Sequence, residues 1–108
     1  ERDRGGAVAL GKVLSVNRRV KTLRLCGNAI EDGGAKAIAE AMRESALETV
    51  GLSQNLISDV GARHIGEALK ANPSVTSLSL KSNGLKAQGA MYLASAMRIN
   101  TRLKSLDL

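Results

Sequence analysis

The chain is poor in the residues that most domains of its size use to build a core or a reactive site. Its 108 residues include one tyrosine, no tryptophan and no phenylalanine, so its apolar content is aliphatic. A single cysteine excludes an internal disulfide and a paired-cysteine metal site. No apolar run approaches the ~18 residues that a membrane-spanning helix needs, and no segment has the features of a signal peptide. These absences favour a reducing, cytoplasmic or nuclear setting without a membrane partner.

Motifs that carry catalysis are also missing. The sequence contains no P-loop, no G-x-S-x-G and no His-Glu-x-x-His. His64 has no cysteine, aspartate or second histidine placed to complete a metal or catalytic site, and we expect it to face solvent. Cys26 is interpreted as a small filler in preference to a reactive thiol. We therefore predict a non-catalytic protein that uses no cofactor and no metal.

What the chain does contain is a repeat of 27 or 28 residues. Three segments with the pattern L-x-x-L-x-L-x-x-N-x-L begin at Val20, Leu47 and Val75, and a shortened fourth begins at Leu103. Apolar residues alternate with polar or small ones in each segment, which is typical of a short half-buried strand.

A helix is predicted after each strand, opened by Gly34, Gly61 or Gly89. Apolar residues four and eight positions after each glycine share one helical face, which we expect to be buried. These residues are Ile38 and Met42, Ile65 and Leu69, and Leu93 and Met97.

This pattern, with a full helix as in residues 80–100, resembles the ribonuclease-inhibitor-like class of leucine-rich repeats. Within that class it looks most like the C-terminal repeats of NOD-like receptors. The resemblance implies an α/β solenoid, a right-handed βα horseshoe arc with parallel strands on its concave face and helices on its convex face. We predict one segment of a longer solenoid over 1–108. It comprises the helix of a preceding repeat (1–19), three full repeats (20–46, 47–74 and 75–102) and the strand of a following repeat (103–108).

Strand positions that point away from the helices predict a concave interaction face. Its candidate residues are Arg24, Cys26, Ser53, Ser79, Lys81 and Asp107. A column of hydroxyls also lies there and is interpreted as small residues that suit a curved sheet. Its members are Thr22, Thr49, Ser77 and Ser105.

The loops between helices and strands predict a basic edge. Its candidate residues are Arg18, Arg19, Lys21, Arg102 and Lys104. Glu48 and Thr76 occupy the Lys21 position in the intervening repeats, so the stripe is interrupted. The net charge of +6 is interpreted mainly as solvated surface charge. Nucleic acid is not expected as a partner, because single strands bind through aromatic stacking that this chain cannot offer.

Recurring polar residues at the turns are given structural roles. Asn28, Asn55 and Asn83 are predicted to form a ladder that satisfies buried backbone groups. Asp3, Asp32 and Asp59 recur near helix starts and are interpreted as caps.

The function implied by the resemblance is protein–protein interaction, as the scaffold or ligand-sensing arm of a larger cytosolic protein of the NOD-like-receptor type. Two alternatives stay open: a GTPase-activating regulator of the Ran type, and an architectural brick of a cytoskeletal or ciliary assembly. The partner is another protein of unspecified identity. Because terminal repeats need polar caps, the uncapped ends also predict self-association.

Overall fold

Strands and helices alternate along the chain in the order that the repeat predicts. The computed structural model describes Ala9, residues 19–72 and residues 74–108. Within them lie β1 (Thr22–Arg24), α1 (Glu31–Met42), β2 (Thr49–Gly51), α2 (Asp59–Ala71), β3 (Ser77–Ser79), α3 (Ala87–Ile99) and β4 (Ser105–Asp107). The predicted helix of 1–19 lies outside the described residues, apart from Ala9 and Arg19.

The four strands form one parallel sheet in the order β1-β2-β3-β4. Each strand pairs with its repeat equivalent, so that Leu23 lies beside Val50, Val50 beside Leu78, and Leu78 beside Leu106. A helix connects each pair of neighbouring strands, and α2 packs against both α1 and α3. The predicted fold class, an α/β leucine-rich-repeat solenoid, is confirmed.

The core is a set of aliphatic rows shared between neighbouring repeats. Leu23, Val50 and Leu78 are buried beneath the sheet, and the inward faces of the helices are buried against them. Burial of each such side chain contributes about 1.5–3 kcal/mol relative to its exposure. Because every repeat packs on a near copy of itself, aliphatic side chains fill the interior without aromatic residues.

Two predictions about the helices were wrong in detail. Each helix begins two or three residues before the glycine that was expected to open it, so the glycines lie within the first turn. Met97 was expected to be buried, but it is 42% exposed. The equivalent side chains of α1 and α2, Met42 and Leu69, are fully buried, because a neighbouring repeat covers them. No described helix covers the corresponding side of α3.

Among the described residues, no helix combines the length and the apolar composition that crossing a membrane requires.

Candidate functional site

The surface with the most regular exposed chemistry is the side of the sheet that faces away from the helices. We call it the open sheet face and define it by the first and third residue of each strand. These residues are Thr22 and Arg24, Thr49 and Gly51, Ser77 and Ser79, and Ser105 and Asp107. All eight are exposed or half-buried, whereas the central residue of each strand points towards the helices.

The strand register arranges the open sheet face in two rows. One row is the predicted hydroxyl column, in which Thr22, Thr49, Ser77 and Ser105 are Cα partners. The other runs from Arg24 through Gly51 and Ser79 to Asp107. Neighbouring strands lie ~4.8 Å apart, so the backbones of its two terminal residues are separated by about 14 Å. The second row is therefore a floor of small residues with a cation at one end and an anion at the other.

The remaining predicted residues of this face lie in the turns that follow the strands. The thiol of Cys26 is exposed, and its Sγ lies 3.6 Å from Oε1 of Gln54. The hydroxyls of Ser53 and Ser79 lie 3.0 Å apart and share a hydrogen bond. Lys81 is exposed beyond the end of β3. The structure thus groups five of the six candidates around the second row, while Cys26 lies at the margin beside β1.

The predicted basic edge lies at the opposite end of the strands. Backbone hydrogen bonds join Lys21, Glu48, Thr76 and Lys104 in consecutive repeats, at N–O distances of 2.7–2.9 Å. The two lysines are consequently separated by the two intervening repeats, and Glu48 places a carboxylate between them. Arg102 lies with Lys104 at one end and Arg19 with Lys21 at the other. Arg18 lies outside the described residues.

Asparagine side chains connect the turns that follow the strands. Nδ2 of Asn55 donates to the Leu25 carbonyl at 2.7 Å and to that of Ser53 at 3.1 Å, while its Oδ1 accepts from the Asn28 backbone N–H at 2.7 Å. Asn83 bonds one repeat further along, and its Oδ1 accepts from the Asn55 backbone N–H at 2.8 Å. Asn28, by contrast, is exposed, and among the described residues its amide donates only to the nearby Cys26 carbonyl. Asn55 and Asn83 thus each fix their own turn to the turn of the preceding repeat, whereas Asn28 bonds within its own turn.

A second polar ladder, at the helix-to-strand loops, was not predicted. Asn72 and Asn100 are buried at the C-terminal ends of α2 and α3, and Ser45 occupies the equivalent position after α1. The amide of Asn72 donates to the Met42 carbonyl of the preceding helix, and that of Asn100 donates to the Leu69 carbonyl. The signal was available, because these three residues recur in register in the sequence.

The aspartates near the helix starts bond across repeats. Asp32, in the first turn of α1, accepts from the Ser58 backbone N–H at 2.8 Å, the Ser58 hydroxyl at 2.5 Å and the Gly61 N–H at 3.0 Å. It therefore accepts hydrogen bonds from backbone N–H groups at the start of α2, which have no partner within that helix. Asp59 does the same for α3, accepting from the Lys86 N–H at 2.7 Å. Asp32 and Asp59 are thus caps of the following helix.

Glycine makes room for these carboxylates. A Cβ built on Gly61 would lie 2.6 Å from Oδ1 of Asp32 and 2.5 Å from Cγ2 of Ile57. At Gly89 the nearest atom to such a Cβ is Oδ1 of Asp59. Gly61 and Gly89 are therefore each required by the carboxylate of the preceding repeat. Together with the two ladders, this contact keeps the rows of the open sheet face in register.

His64 is half-buried, although we expected it to face solvent fully. It lines a groove between α1 and α2 on the helical side of the molecule. Its neighbours there come from both helices.

Comparison with known proteins agrees with the repeat pattern. The family profile described as "Leucine Rich repeat" matches residues 16–39 and 71–94. Two curated human proteins are similar in sequence. NACHT, LRR and PYD domains-containing protein 5 is 32% identical over 95 residues, and protein 13 of the same name is 31% identical over 105 residues. The matches cover 86% and 95% of this chain but only 8% and 10% of those proteins.

Two solved structures share the fold. The structure described as leiomodin-1 actin-binding site 2 superposes with a TM-score of 0.90 at 25% identity. The tropomodulin C-terminal domain of Caenorhabditis elegans superposes with a TM-score of 0.80 at 19% identity, a likeness of fold alone. Each match covers 96% of this chain and 62% of the other.

Proposed function

Because the chain is a leucine-rich-repeat segment whose repeats are like those of NACHT, LRR and PYD domains-containing proteins, we propose that it is a protein-binding arm of a larger cytosolic protein. The arm performs no catalysis and recognises its partner through the open sheet face. The observation that carries this proposal is the exposed row from Arg24 through Gly51 and Ser79 to Asp107.

The physical properties of that row suit a protein partner. Its backbone groups are already paired within the sheet, so a ligand contacts side chains on a preorganised surface. Because Gly51 has no side chain and that of Ser79 is small, the centre of the row leaves space for side chains of a partner. The flanking Arg24 is of a residue type that is enriched in binding hot spots. The opposite charges of Arg24 and Asp107 fix the orientation of a partner with complementary charges.

Site-specific photocrosslinking tests this proposal in the parent protein. A photoreactive amino acid at Ser79 reports on the open sheet face, and the same group at Ser95, exposed on α3, is the matched control. We expect a discrete partner adduct from position 79 and none from position 95. Adducts from position 95 alone, or none from either position, would contradict the proposal.

A second candidate is an actin-contacting architectural repeat. It is favoured by the TM-score of 0.90 to the structure described as an actin-binding site of leiomodin-1. In this reading the chain contributes one arc to a filament-associated assembly.

Co-sedimentation with filamentous actin separates the two candidates. Enrichment of the 108-residue chain in the actin pellet, reduced by Arg24→Glu, would support the architectural reading. Absence of the chain from the pellet, together with a non-actin adduct from position 79, supports the receptor-arm reading.

A further inference from the structure

The groove between α1 and α2 carries an ordered set of charges that the proposed function does not use. Its lining includes Lys36 and Glu40 from α1, Arg43 at the C-terminal cap of that helix, and Arg63 and Glu67 from α2. The buried Ala39 and the half-buried His64 form part of its floor. The groove lies on the helical side of the molecule, away from the open sheet face.

Equivalent positions on the two helices carry charges of the same sign. The 27-residue repeat brings Lys36 level with Arg63, then Glu40 with Glu67, then Arg43 with Lys70. A basic and an acidic band thus cross the groove, and a second basic band lies at its end, where Arg43 but not Lys70 belongs to the lining. Successive bands are four and three residues apart, or about 6 and 4.5 Å along a helix.

These charges form no direct ion pairs within the part of the chain that the structure describes. None of the six side chains makes a hydrogen bond or an ion pair there. Like charges that face each other repel, and a counter-charge placed between them relieves both members of the pair. A partner therefore fits best if it carries the inverse order, acidic then basic then acidic.

That spacing matches one face of an α-helix. Positions i, i+4 and i+7 of a helix lie on one side, at the same 6 and 4.5 Å intervals as the bands. A helix that lies along the groove between two others also follows the ordinary geometry of helix packing. We propose that this groove docks an α-helix of another protein that presents an acidic, a basic and an acidic side chain on successive turns.

The next groove along the solenoid shows that the pattern is local. Between α2 and α3, the equivalents of Arg63 and Glu67 are Met91 and Ser95. The first basic band and the acidic band are lost there, and only the second basic band persists, as Lys70 and Arg98, so the full order of charges does not follow from the repeat itself. The site is specific to one pair of helices and is independent of the open sheet face.

Two designed peptides of equal composition test the proposal. Each is an alanine-rich helix with two glutamates and one lysine on one face, in the order Glu-Lys-Glu or Glu-Glu-Lys. Their binding to the 108-residue chain is measured by fluorescence anisotropy at low salt. From the usual strength of exposed ion pairs we expect about fivefold tighter binding of the Glu-Lys-Glu peptide, and this difference disappears at high salt. Equal affinities, or no binding of either peptide, would overturn the proposal.

Charge reversal of the acidic band provides a second test. The double variant Glu40→Lys, Glu67→Lys makes all three bands basic, so the preference for Glu-Lys-Glu is expected to vanish. The control variant Glu44→Lys, Glu48→Lys changes the net charge equally at exposed positions that do not line the groove. It is expected to keep the preference. All four substitutions are at exposed side chains, and circular dichroism verifies the fold. If both variants lost the preference for the Glu-Lys-Glu peptide, the preference would depend on net charge alone, and the proposed docking geometry would be refuted.

Discussion

Substitution of Gly61 by alanine tests how neighbouring repeats are joined. The new Cβ would lie 2.6 Å from Oδ1 of Asp32, 2.5 Å from Cγ2 of Ile57 and 3.2 Å from Cβ of Ala35. Real side chains do not approach so closely, so the carboxylate must leave its place. Its departure removes the acceptor of two backbone N–H groups and one hydroxyl at the start of α2.

The expected cost is the sum of three effects. Loss of the carboxylate cap costs about 2 kcal/mol, the range for hydrogen bonds to a charged group and for helix N-caps. Crowding against Ile57 and Ala35 costs about 1–2 kcal/mol. Alanine recovers about 1 kcal/mol of helix propensity relative to glycine. We therefore expect Gly61→Ala to lower the free energy of unfolding by about 2–3 kcal/mol, or the melting temperature by roughly 10–15 °C.

Urea denaturation followed by far-ultraviolet circular dichroism measures this change. Gly51→Ala is the matched control, because its Cβ would lie 3.7 Å from the nearest atom, Cγ of Arg24. Its effect on the free energy of unfolding should stay within about 0.5 kcal/mol. A double-mutant cycle isolates the carboxylate. Asp32→Ala alone should cost about 2 kcal/mol, and the two changes together should cost about 2 kcal/mol less than their sum. Additive costs, or a neutral Gly61→Ala, would refute the role assigned to Asp32.

Four further predictions concern the ladders, one turn and the exposed side of α3. Asn55→Ala should lower the free energy of unfolding, measured by denaturation, by about 3 kcal/mol, because it leaves buried backbone groups unpaired. Asn28 is exposed, so Asn28→Ala should lower it by less than about 1 kcal/mol. Asn72→Ala should likewise lower the free energy of unfolding by about 3 kcal/mol, since two N–H groups and a carbonyl lose their partner. A change near zero would show that the second ladder does not stabilise the fold. Leu56 has φ 59° and is 65% exposed, so Leu56→Asn should stabilise the fold by about 0.5 kcal/mol, because asparagine tolerates the left-handed region. Met97→Lys should reduce self-association in sedimentation velocity, because it charges an exposed apolar position on α3; an unchanged sedimentation profile would place any association elsewhere.

The repeat pattern was sufficient to predict the architecture. Alternating leucines gave the strand positions, and a four-residue spacing gave the buried helical face, because both signals depend on local geometry. The rows of the open sheet face could also be predicted by aligning equivalent residues of the repeats, because each strand of a solenoid pairs with the equivalent strand of the next repeat. No long-range information was needed for either step.

Other features depend on contacts between repeats. The hydrogen bond from Ser58 to Asp32 joins residues 26 positions apart and is possible only because Gly61 has no side chain. The recurrence of aspartate near each helix start therefore suggested a cap of its own helix and not of the next one. Met97 repeats the pattern of Met42, yet its exposure is decided by whether a further helix covers it. The charge bands of the α1–α2 groove became apparent only when the two helices were placed side by side.

Accessibility of the native thiol offers the most direct test of the central claim, that the open sheet face binds a protein. Cys26 is exposed at the margin of this face, and peptide mass spectrometry measures its alkylation rate. Ser95→Cys, on the helical side, provides the reference. Cys26 is expected to react several-fold more slowly in the native assembly than in the purified chain, while position 95 is expected to react equally in both. Unchanged reactivity of Cys26 with protection at position 95 would contradict it.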